Sequence, residues 1–213
     1  MPEIYYRILN KLIHWRIPFF GYPLRRQDID HTPFFIVGSG RSGNTLLRRI
    51  LFAHSDLYIP PETYVLGLAI KAYRRYNHMY WYDLVYFIYS LFEFHPEFKT
   101  FECSLGPLAN EIAYAPPSSR NLAYLLDGFY RYHAESKGFH PSRWGDKTPL
   151  NIYDLALIKK VFPKAQFIQI VRDGCDVVES YLRSGIYQDL EAAGERWISS
   201  VQAFAEFSVK NPA

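Results

Sequence analysis

A glycine-rich segment, residues 38–45 with the sequence GSGRSGNT, follows a short apolar run and precedes a stretch with helical periodicity. A glycine loop that opens a helix presents backbone N–H groups to an anion, and the helix dipole favours negative charge there. Gly38 and Gly43 have the spacing of the pattern GxxxxGK[ST], but Asn44 occupies the position of the lysine that NTPases place on the phosphates. The segment therefore predicts an anion site with a cation at Arg41, and the missing lysine argues against nucleotide hydrolysis.

A second group of candidate ligands stands in the C-terminal part of the chain, after another apolar run. Arg172 follows residues 167–171, and Ser180 comes eight residues later within a helical pattern. A guanidinium can donate two parallel hydrogen bonds to a phosphate, and a serine hydroxyl is a neutral donor. Arg172 alone would be more typical of a structural salt bridge. Together with the glycine loop, at this order and separation, it is a candidate nucleotide ligand.

Glu62, which follows two prolines, is a carboxylate for which the residues alone favour a structural role at a helix N-terminus over a catalytic one. A carboxylate near a helix N-terminus is stabilised by the helix dipole. A carboxylate in a partly buried position can instead act as a general base.

The elements that must position these residues indicate an α/β fold. An apolar strand at residues 34–37 ends at the glycine loop, and apolar residues at 46, 47, 50 and 51 predict a helix. Residues 167–171 predict a second strand, with Asp176 as the N-cap of the following helix. Further helices are predicted at about residues 63–76, 81–94, 119–137 and 151–161, with a turn-rich insert at 143–149. Strands that alternate with helices imply a mainly parallel sheet, which binds ligands at the C-terminal ends of its strands.

The segment from Tyr73 to Phe101 is dense in Tyr, Trp and Phe. Such residues could line an acceptor cleft, where aromatic rings stack on sugars or phenols. They could equally form a helical core or the packing surface of a lid.

Length and composition limit the class of protein. The 213 residues, 49% of them hydrophobic, suit one domain with a real core and exclude a disordered chain. A net charge of +3 with scattered basic residues gives no reason to expect a nucleic-acid partner. Two cysteines exclude a disulfide framework, and the histidines show no metal-ligand spacing. We therefore expect no metal.

The two termini and the most apolar stretch bear on localisation. Residues 1–30 are expected to form an N-terminal extension with a short amphipathic helix that packs on the domain. Residues 81–94 contain two carboxylates and are shorter than the ~20 residues that span a bilayer, so no transmembrane segment is expected. Without a secretory signal, the sequence favours a cytoplasmic protein, and a lumenal fragment remains the alternative.

The loop resembles the 5′-phosphosulfate loop of the PAPS-dependent sulfotransferases, whose core [KR]-S-G-[TN]-T is RSGNT at residues 41–45 here. The family's 3′-phosphate site, an arginine after a strand and a serine eight residues later, is matched by Arg172 and Ser180, although Gly174 stands where the family usually has proline. The resemblance implies that PAPS is bound by Gly40, Arg41, Ser42, Gly43, Asn44, Thr45, Leu46, Arg172 and Ser180.

Within this family the motifs are most similar to the branch that contains the tyrosylprotein sulfotransferases. That branch has a glutamate and a threonine 21 residues after the loop arginine, as Glu62 and Thr63 follow Arg41 here. The resemblance implies that Glu62 is the general base. It also implies that Lys147, in the sequence WGDKTP, acts with Arg41 to stabilise charge on the transferring sulfuryl group.

The resemblance implies a P-loop-like parallel sheet flanked by helices, formed by residues 31–213, and transfer of a sulfuryl group from PAPS to a hydroxyl acceptor. The acceptor, whether carbohydrate, tyrosine or small molecule, is left open, as is a homodimer. Family members usually carry a further strand after the last helix, so we expect the domain to be incomplete at its C-terminus. Two alternatives remain at this point: a P-loop phosphotransferase or NTPase, and a non-catalytic nucleotide-binding module of the same fold.

Overall fold

Four parallel strands form the centre of the computed structural model, which describes residues 21–26 and 32–212. The strands are β1 (Phe34–Gly38), β2 (Leu57–Tyr58), β3 (Arg143–Lys147) and β4 (Gln166–Ile170). They lie in the order β2, β3, β1, β4, and every neighbouring pair is parallel. β1 is buried along its whole length, as expected for a central strand of a parallel sheet. The predicted α/β fold is thus confirmed.

Eight α-helices surround this sheet within the described part of the chain. They are α1 (Asn44–Phe52), α2 (Leu66–Tyr76), α3 (Trp81–Glu93), α4 (Gly106–Ala113), α5 (Leu122–Ser136), α6 (Leu155–Val161), α7 (Gly174–Arg183) and α8 (Leu190–Lys210). Short 3-10 helices occupy Pro96–Phe101, Pro117–Ser119 and Pro149–Tyr153. The four further helices predicted from periodicity correspond to α2, α3, α5 and α6. The eight-residue α4, with a glycine and a proline in its first turn, has no counterpart in the prediction.

The turn-rich insert predicted at residues 143–149 is wrong for its first five residues, which form the inner strand β3. The strand lacks the apolar pattern that identifies a buried strand. A Cβ on Gly145 would lie 2.4 Å from the ring of Phe34, so the close approach of β1 requires glycine there. The buried carboxylate of Asp146 is satisfied by hydrogen bonds from side chains distant in the sequence.

The predicted N-cap of the second unit is also wrong. The helix α7 begins at Gly174, and the side chain of Asp173 accepts hydrogen bonds from the backbone N–H groups of Cys175 and Asp176. Asp176 lies in the first helical turn. Two carboxylates three residues apart satisfy the same capping preference, and the turn after β4 selects the earlier one.

The two faces of the sheet are covered differently. Phe35 and Val37 of β1 pack into the main core, which is filled by side chains of α2 to α6. Phe34 and Ile36, on the other face, pack with Ile59 in a smaller cluster beside α1. The alternation of β1 side chains between the faces is the period-2 geometry of a strand.

Of the twelve aromatic residues between 73 and 101, six are buried in the main core, and Tyr86 and Phe87 pack against it. Buried rings in this segment are those of Tyr73, Trp81, Tyr89, Phe92, Phe98 and Phe101. Tyr80 and Phe94 are both 84% exposed. The core interpretation therefore holds for most of the segment, and its exposed rings are the exceptions.

The amphipathic helix expected within residues 1–30 falls outside the described residues, apart from 21–26. Among the residues that are described, none of the helices combines the length and the apolar character needed to cross a membrane.

Candidate functional site

The loop between β1 and α1 has a backbone that only particular residues can adopt. Gly38 has φ +142°, and a Cβ there would lie 2.9 Å from the carbonyl oxygen of Ile170 in β4. Gly43, the N-cap of α1, has φ +102°. Both glycines are therefore required by the left-handed backbone, and the first also by the close approach of β4.

Donor groups at the start of α1 and in the loop lack side-chain partners within the described residues. No side chain caps the N-terminus of α1, so its first N–H groups lack a side-chain acceptor. Asn44 is buried and its Nδ2 donates to the carbonyl oxygen of Ser39 at 2.9 Å, which closes the loop on itself. The buried Ser42 hydroxyl has no hydrogen-bond partner within the described chain. An unpartnered hydroxyl beside free helix amides fits an anionic group of the phosphosulfate type.

Two hydrogen bonds connect the loop to α7. The Nε of Arg41 donates to the Ser180 Oγ at 3.0 Å, although the residues are 139 positions apart in the sequence. The hydroxyls of Ser39 and Tyr181 are 3.0 Å apart. The structure thus brings together Arg41 and Ser180, which the sequence assigned to opposite ends of one nucleotide.

Arg172 is not part of that contact. Its guanidinium donates to the Asp176 carboxylate, with Nη2 at 2.9 Å and Nε at 3.2 Å. Both side chains are about half exposed, and a surface ion pair of this kind is weak. A phosphate could therefore compete with Asp176 for the guanidinium.

The candidate base and the candidate cation are in direct contact. The Nζ of Lys147 donates to Oε1 of Glu62 in an ion pair, although the two residues lie 85 positions apart. The lysine side chain is 7% exposed and the glutamate side chain 23%. In the parallel register Lys147 is the partner of Ile36 in β1, close to where β1 enters the loop. A carboxylate and an ammonium thus meet near the C-terminal edge of the sheet.

A buried hydrogen-bond network fixes the backbone on both sides of this pair. The Asp146 carboxylate accepts from the hydroxyls of Thr63 at 2.9 Å and Tyr130 at 2.7 Å, and from Nδ2 of Asn151 at 2.9 Å. The backbone N–H of Thr63 donates to Oγ1 of Thr148 at 3.0 Å. Residues 62–63 are therefore tied to residues 146–148 at three points, the ion pair included.

Burial governs the electrostatics of this network. The Asp146 carboxyl is completely buried, which raises its pKa, and the hydrogen bonds from Tyr130, Thr148 and Thr63 oppose that rise. Burial likewise raises the pKa of the Tyr130 hydroxyl well above its ordinary value. Sequence reasoning did not identify Asp146, Thr148 or Tyr130 as site residues. Asp146 and Thr148 flank Lys147, and that adjacency was their only signal in the sequence. Tyr130 has no such signal.

Arg48 is a further residue whose role the sequence did not indicate. Its Nη2 and Nε donate to the carbonyl oxygen of Ile59 at 2.8 and 3.2 Å. Burial lowers the pKa of its guanidinium, and the negative charges of Glu62 and Asp146 act in the opposite direction. Arg48 therefore connects the helix that follows the loop with the segment that carries Glu62.

Two of the predicted ligands are exposed to solvent, and a third packs against α7. Thr45 and Leu46 are exposed in the first turn of α1, and Leu46 is 65% exposed. Gly40 lies next to α7, where an added Cβ would be 2.8 Å from the Tyr181 hydroxyl. The predicted apolar stripe of α1 is accordingly split: Leu47 and Leu51 pack on the smaller cluster, and Leu46 faces outward.

The fold and the site define an α/β protein with a glycine loop between β1 and α1 and a partly buried Glu62–Lys147 ion pair near the C-terminal edge of the sheet. A family model described as the sulfotransferase family matches residues 33–211. The chain belongs to that family.

Solved structures of sulfotransferases resemble the chain over most of its length. A sulfotransferase domain from the curacin biosynthetic pathway has a TM-score of 0.50 and 21% identity, covering 84% of this chain and 63% of its own. Sulfotransferase STF9 from Mycobacterium avium has a TM-score of 0.46 and 17% identity, covering 86% of this chain and 57% of its own. The chain thus spans less than two thirds of either structure. None of the curated proteins matches it significantly.

Proposed function

We propose that the protein transfers a sulfuryl group from PAPS to a hydroxyl acceptor, with Glu62 as the general base. The observation that carries the proposal is the contact between Glu62 and Lys147 near the C-terminal edge of the sheet. A carboxylate can act as the general base that takes the proton of an acceptor hydroxyl, and a fixed cation beside it stabilises a transition state that develops negative charge. Membership of the sulfotransferase family supports this assignment.

In the proposed site, residues 40–46 hold the 5′-phosphosulfate, and Arg172 with Ser180 holds the 3′-phosphate. The unpartnered Ser42 hydroxyl and the uncapped N-terminus of α1 support the first assignment. The proximity of Ser180 to Arg41 supports the second, because it brings the two phosphate sites within reach of one ligand. When bound, PAPS supplies the sulfuryl group and adenosine 3′,5′-bisphosphate as the leaving group.

The chain's own residues then perform three tasks. Glu62 accepts the proton of the acceptor hydroxyl, for which its carboxylate must exchange part of its contact with Lys147 for a contact with that hydroxyl. Lys147 and Arg41 stabilise the charge that develops on the oxygens around sulfur. In-line positioning and fixed cations meet most of the requirements of such a transfer, as they do for phosphoryl groups. The resemblance to the tyrosylprotein branch remains a prediction.

Calorimetric titrations with adenosine 3′,5′-bisphosphate and with ADP, each with and without Mg²⁺, test the nucleotide assignment. We expect the bisphosphate to bind more tightly than ADP and to be indifferent to Mg²⁺. Ser180→Ala should weaken bisphosphate binding by about fivefold, the value of one net hydrogen bond, and Arg172→Gln should weaken it further. Arg183→Gln, at the end of the same helix, and Ser184→Ala, at its C-cap, are the matched controls. ADP binding as tight as the bisphosphate would contradict the roles of Arg172 and Ser180.

Transfer from radiolabelled PAPS to a panel of hydroxyl acceptors tests the base. Glu62→Gln keeps the size of the side chain and removes its basicity, so we expect transfer to fall by about 10²-fold or more. Glu135→Gln, at an exposed carboxylate in the last turn of α5, should retain the wild-type rate. Full activity of the Glu62→Gln variant would overturn the assignment.

A further inference from the structure

Tyr64, directly after Glu62 and Thr63, has an unusual backbone. Its φ is +56°, and the N–H of Val65 donates to the carbonyl oxygen of Thr63 at 2.6 Å, which closes a three-residue turn around it. Positive φ is a real outlier for a bulky residue, and a turn of this kind is strained. Glycine would adopt the same backbone at no cost. The chain therefore keeps a tyrosine where its backbone disfavours one.

Such strain persists where the neighbouring structure holds it, and it clusters at functional sites. Three residues other than glycine have positive φ among those described: Arg41, Tyr64 and Glu102. Glu102 is the C-cap of a 3-10 helix, where this conformation is common. The other two lie in the proposed phosphosulfate loop and next to the proposed base.

The Tyr64 ring is stacked on a second ring whose orientation is also fixed. The ring centroids of Tyr64 and His95 are 5.5 Å apart and the planes are 16° from parallel. His95 is the N-cap of the 3-10 helix Pro96–Phe101, and its Nδ1 accepts from the N–H of Glu97 at 3.3 Å. The pair is thus restrained by a strained turn on one side and a helix cap on the other, while Tyr64 remains 38% exposed.

The Tyr64 hydroxyl lies beside the proposed base. Burial raises the pKa of that hydroxyl, and the charge of Glu62 and a hydrogen bond to Glu62 raise it further. The tyrosine therefore stays neutral, two residues after the carboxylate that must receive the acceptor's proton.

We propose that Tyr64 and His95 form the acceptor-binding platform, on which a planar ring stacks so that its hydroxyl points at Glu62. This proposal rests on the proposed function and adds the residues that determine which acceptor is bound. Aromatic rings prefer offset stacking at the centroid distances seen in this pair, and a pre-organised platform loses little entropy on binding. The platform selects a flat aromatic alcohol of the phenol type over a saturated sugar, and Tyr64 acts as a positioning residue.

The test is equilibrium binding of 2-naphthol to the full chain, with adenosine 3′,5′-bisphosphate titrated in the same samples. Tyr64→Asn removes the ring but tolerates the positive φ, and His95→Asn removes the ring but preserves the N-cap. We expect each variant to weaken 2-naphthol binding by roughly threefold to tenfold, as expected for one aromatic pair. Tyr64→Phe should bind it within about twofold of wild type, because the ring remains. Tyr82→Asn, at an exposed ring of α3 that contacts Tyr86, is the matched control.

Three results would each contradict the platform. The Tyr64→Asn variant could bind 2-naphthol as tightly as wild type, or the wild-type chain could fail to bind 2-naphthol. The wild-type chain could also bind methyl β-glucoside more tightly than 2-naphthol. Thermal denaturation of each variant verifies that it is folded. If bisphosphate binding is intact while the naphthol result fails, the platform alone is rejected. If naphthol binds through Tyr64 but the bisphosphate does not bind, the proposed nucleotide site is rejected.

Discussion

Glu62 and Lys147 depend for their position on residues that take no part in the proposed chemistry. Asp146 precedes the lysine and is fully buried, with three hydrogen-bond donors pointing at its carboxylate. One of those donors is Thr63, which follows the proposed base. A buried acceptor therefore sets the geometry of both partners of the ion pair.

At the residue scale, we predict that Asp146→Ala lowers the free energy of unfolding by about 2–4 kcal/mol, because it leaves buried hydroxyl and amide donors without an acceptor. Urea denaturation measures the change. The control is Asp176→Ala, whose exposed pair with Arg172 should contribute less than about 1 kcal/mol. Equal midpoints for Asp146→Ala and wild type would show that the network contributes nothing to stability.

Individual site residues could be proposed from the sequence where a short motif carries them. Arg41 and Ser180 were singled out from two separate motifs, and the structure shows them in contact. Tyr64 and Asp146 belong to no such pattern. Their environments arise from a backbone conformation and from burial, neither of which is visible in residue types.

At the element scale, the two strand–turn–helix units were predictable because each combines an apolar run, a turn and helical spacing in a short stretch. The strand β3 was not predictable, because its polar residues can be buried only once they pack and form hydrogen bonds with β1 and the surrounding segments. Gly145 shows the reason: the ring of Phe34 covers it from the neighbouring strand.

We predict that Gly145→Ala destabilises the protein by about 1–3 kcal/mol through overpacking, since the new Cβ would meet the Phe34 ring. In a Phe34→Leu background the cost should be smaller. Gly194→Ala is the opposite control, because α8 has open space there, and helix propensity should stabilise the protein by about 0.5–1 kcal/mol. Chemical denaturation of Gly145→Ala, Phe34→Leu, the double variant and Gly194→Ala measures the expected loss and the expected gain in the free energy of unfolding. A stabilising Gly145→Ala would contradict the described packing of β3.

At the scale of the whole molecule, the helices α2 to α5, inserted between β2 and β3, are joined to the sheet by a buried histidine. The Tyr58 hydroxyl and His133 Nδ1 are 2.8 Å apart, and His133 Nε2 is 3.0 Å from the carbonyl oxygen of Phe101. That carbonyl can only accept, so Nε2 carries the proton and Nδ1 accepts from Tyr58. Burial is the main reason that the pKa of His133 is lowered from 6.5.

The lowered pKa predicts a loss of stability in acid. The unfolded chain takes up a proton at His133 as the pH falls through about 6.5, while the folded protein resists it, so the free energy of unfolding decreases below that pH. Thermal denaturation at about pH 7.5 and about pH 5 should show a smaller decrease for His133→Gln than for wild type. His140→Gln, at an exposed site, should leave the decrease unchanged. Equal decreases in wild type and His133→Gln would refute the prediction.

The sequence alone determined the fold class, the two turns that meet at the C-terminal edge of the sheet and the glycine-dependent loop, because these rest on local periodicity and backbone preference. Only the tertiary structure decided which residues face one another: Arg41 with Ser180, Lys147 with Glu62, and Tyr64 with His95. Those contacts depend on strand order and register, which join segments 31 to 139 positions apart. They also depend on burial, which makes a hydrogen-bonded carboxylate such as Asp146 acceptable inside the fold.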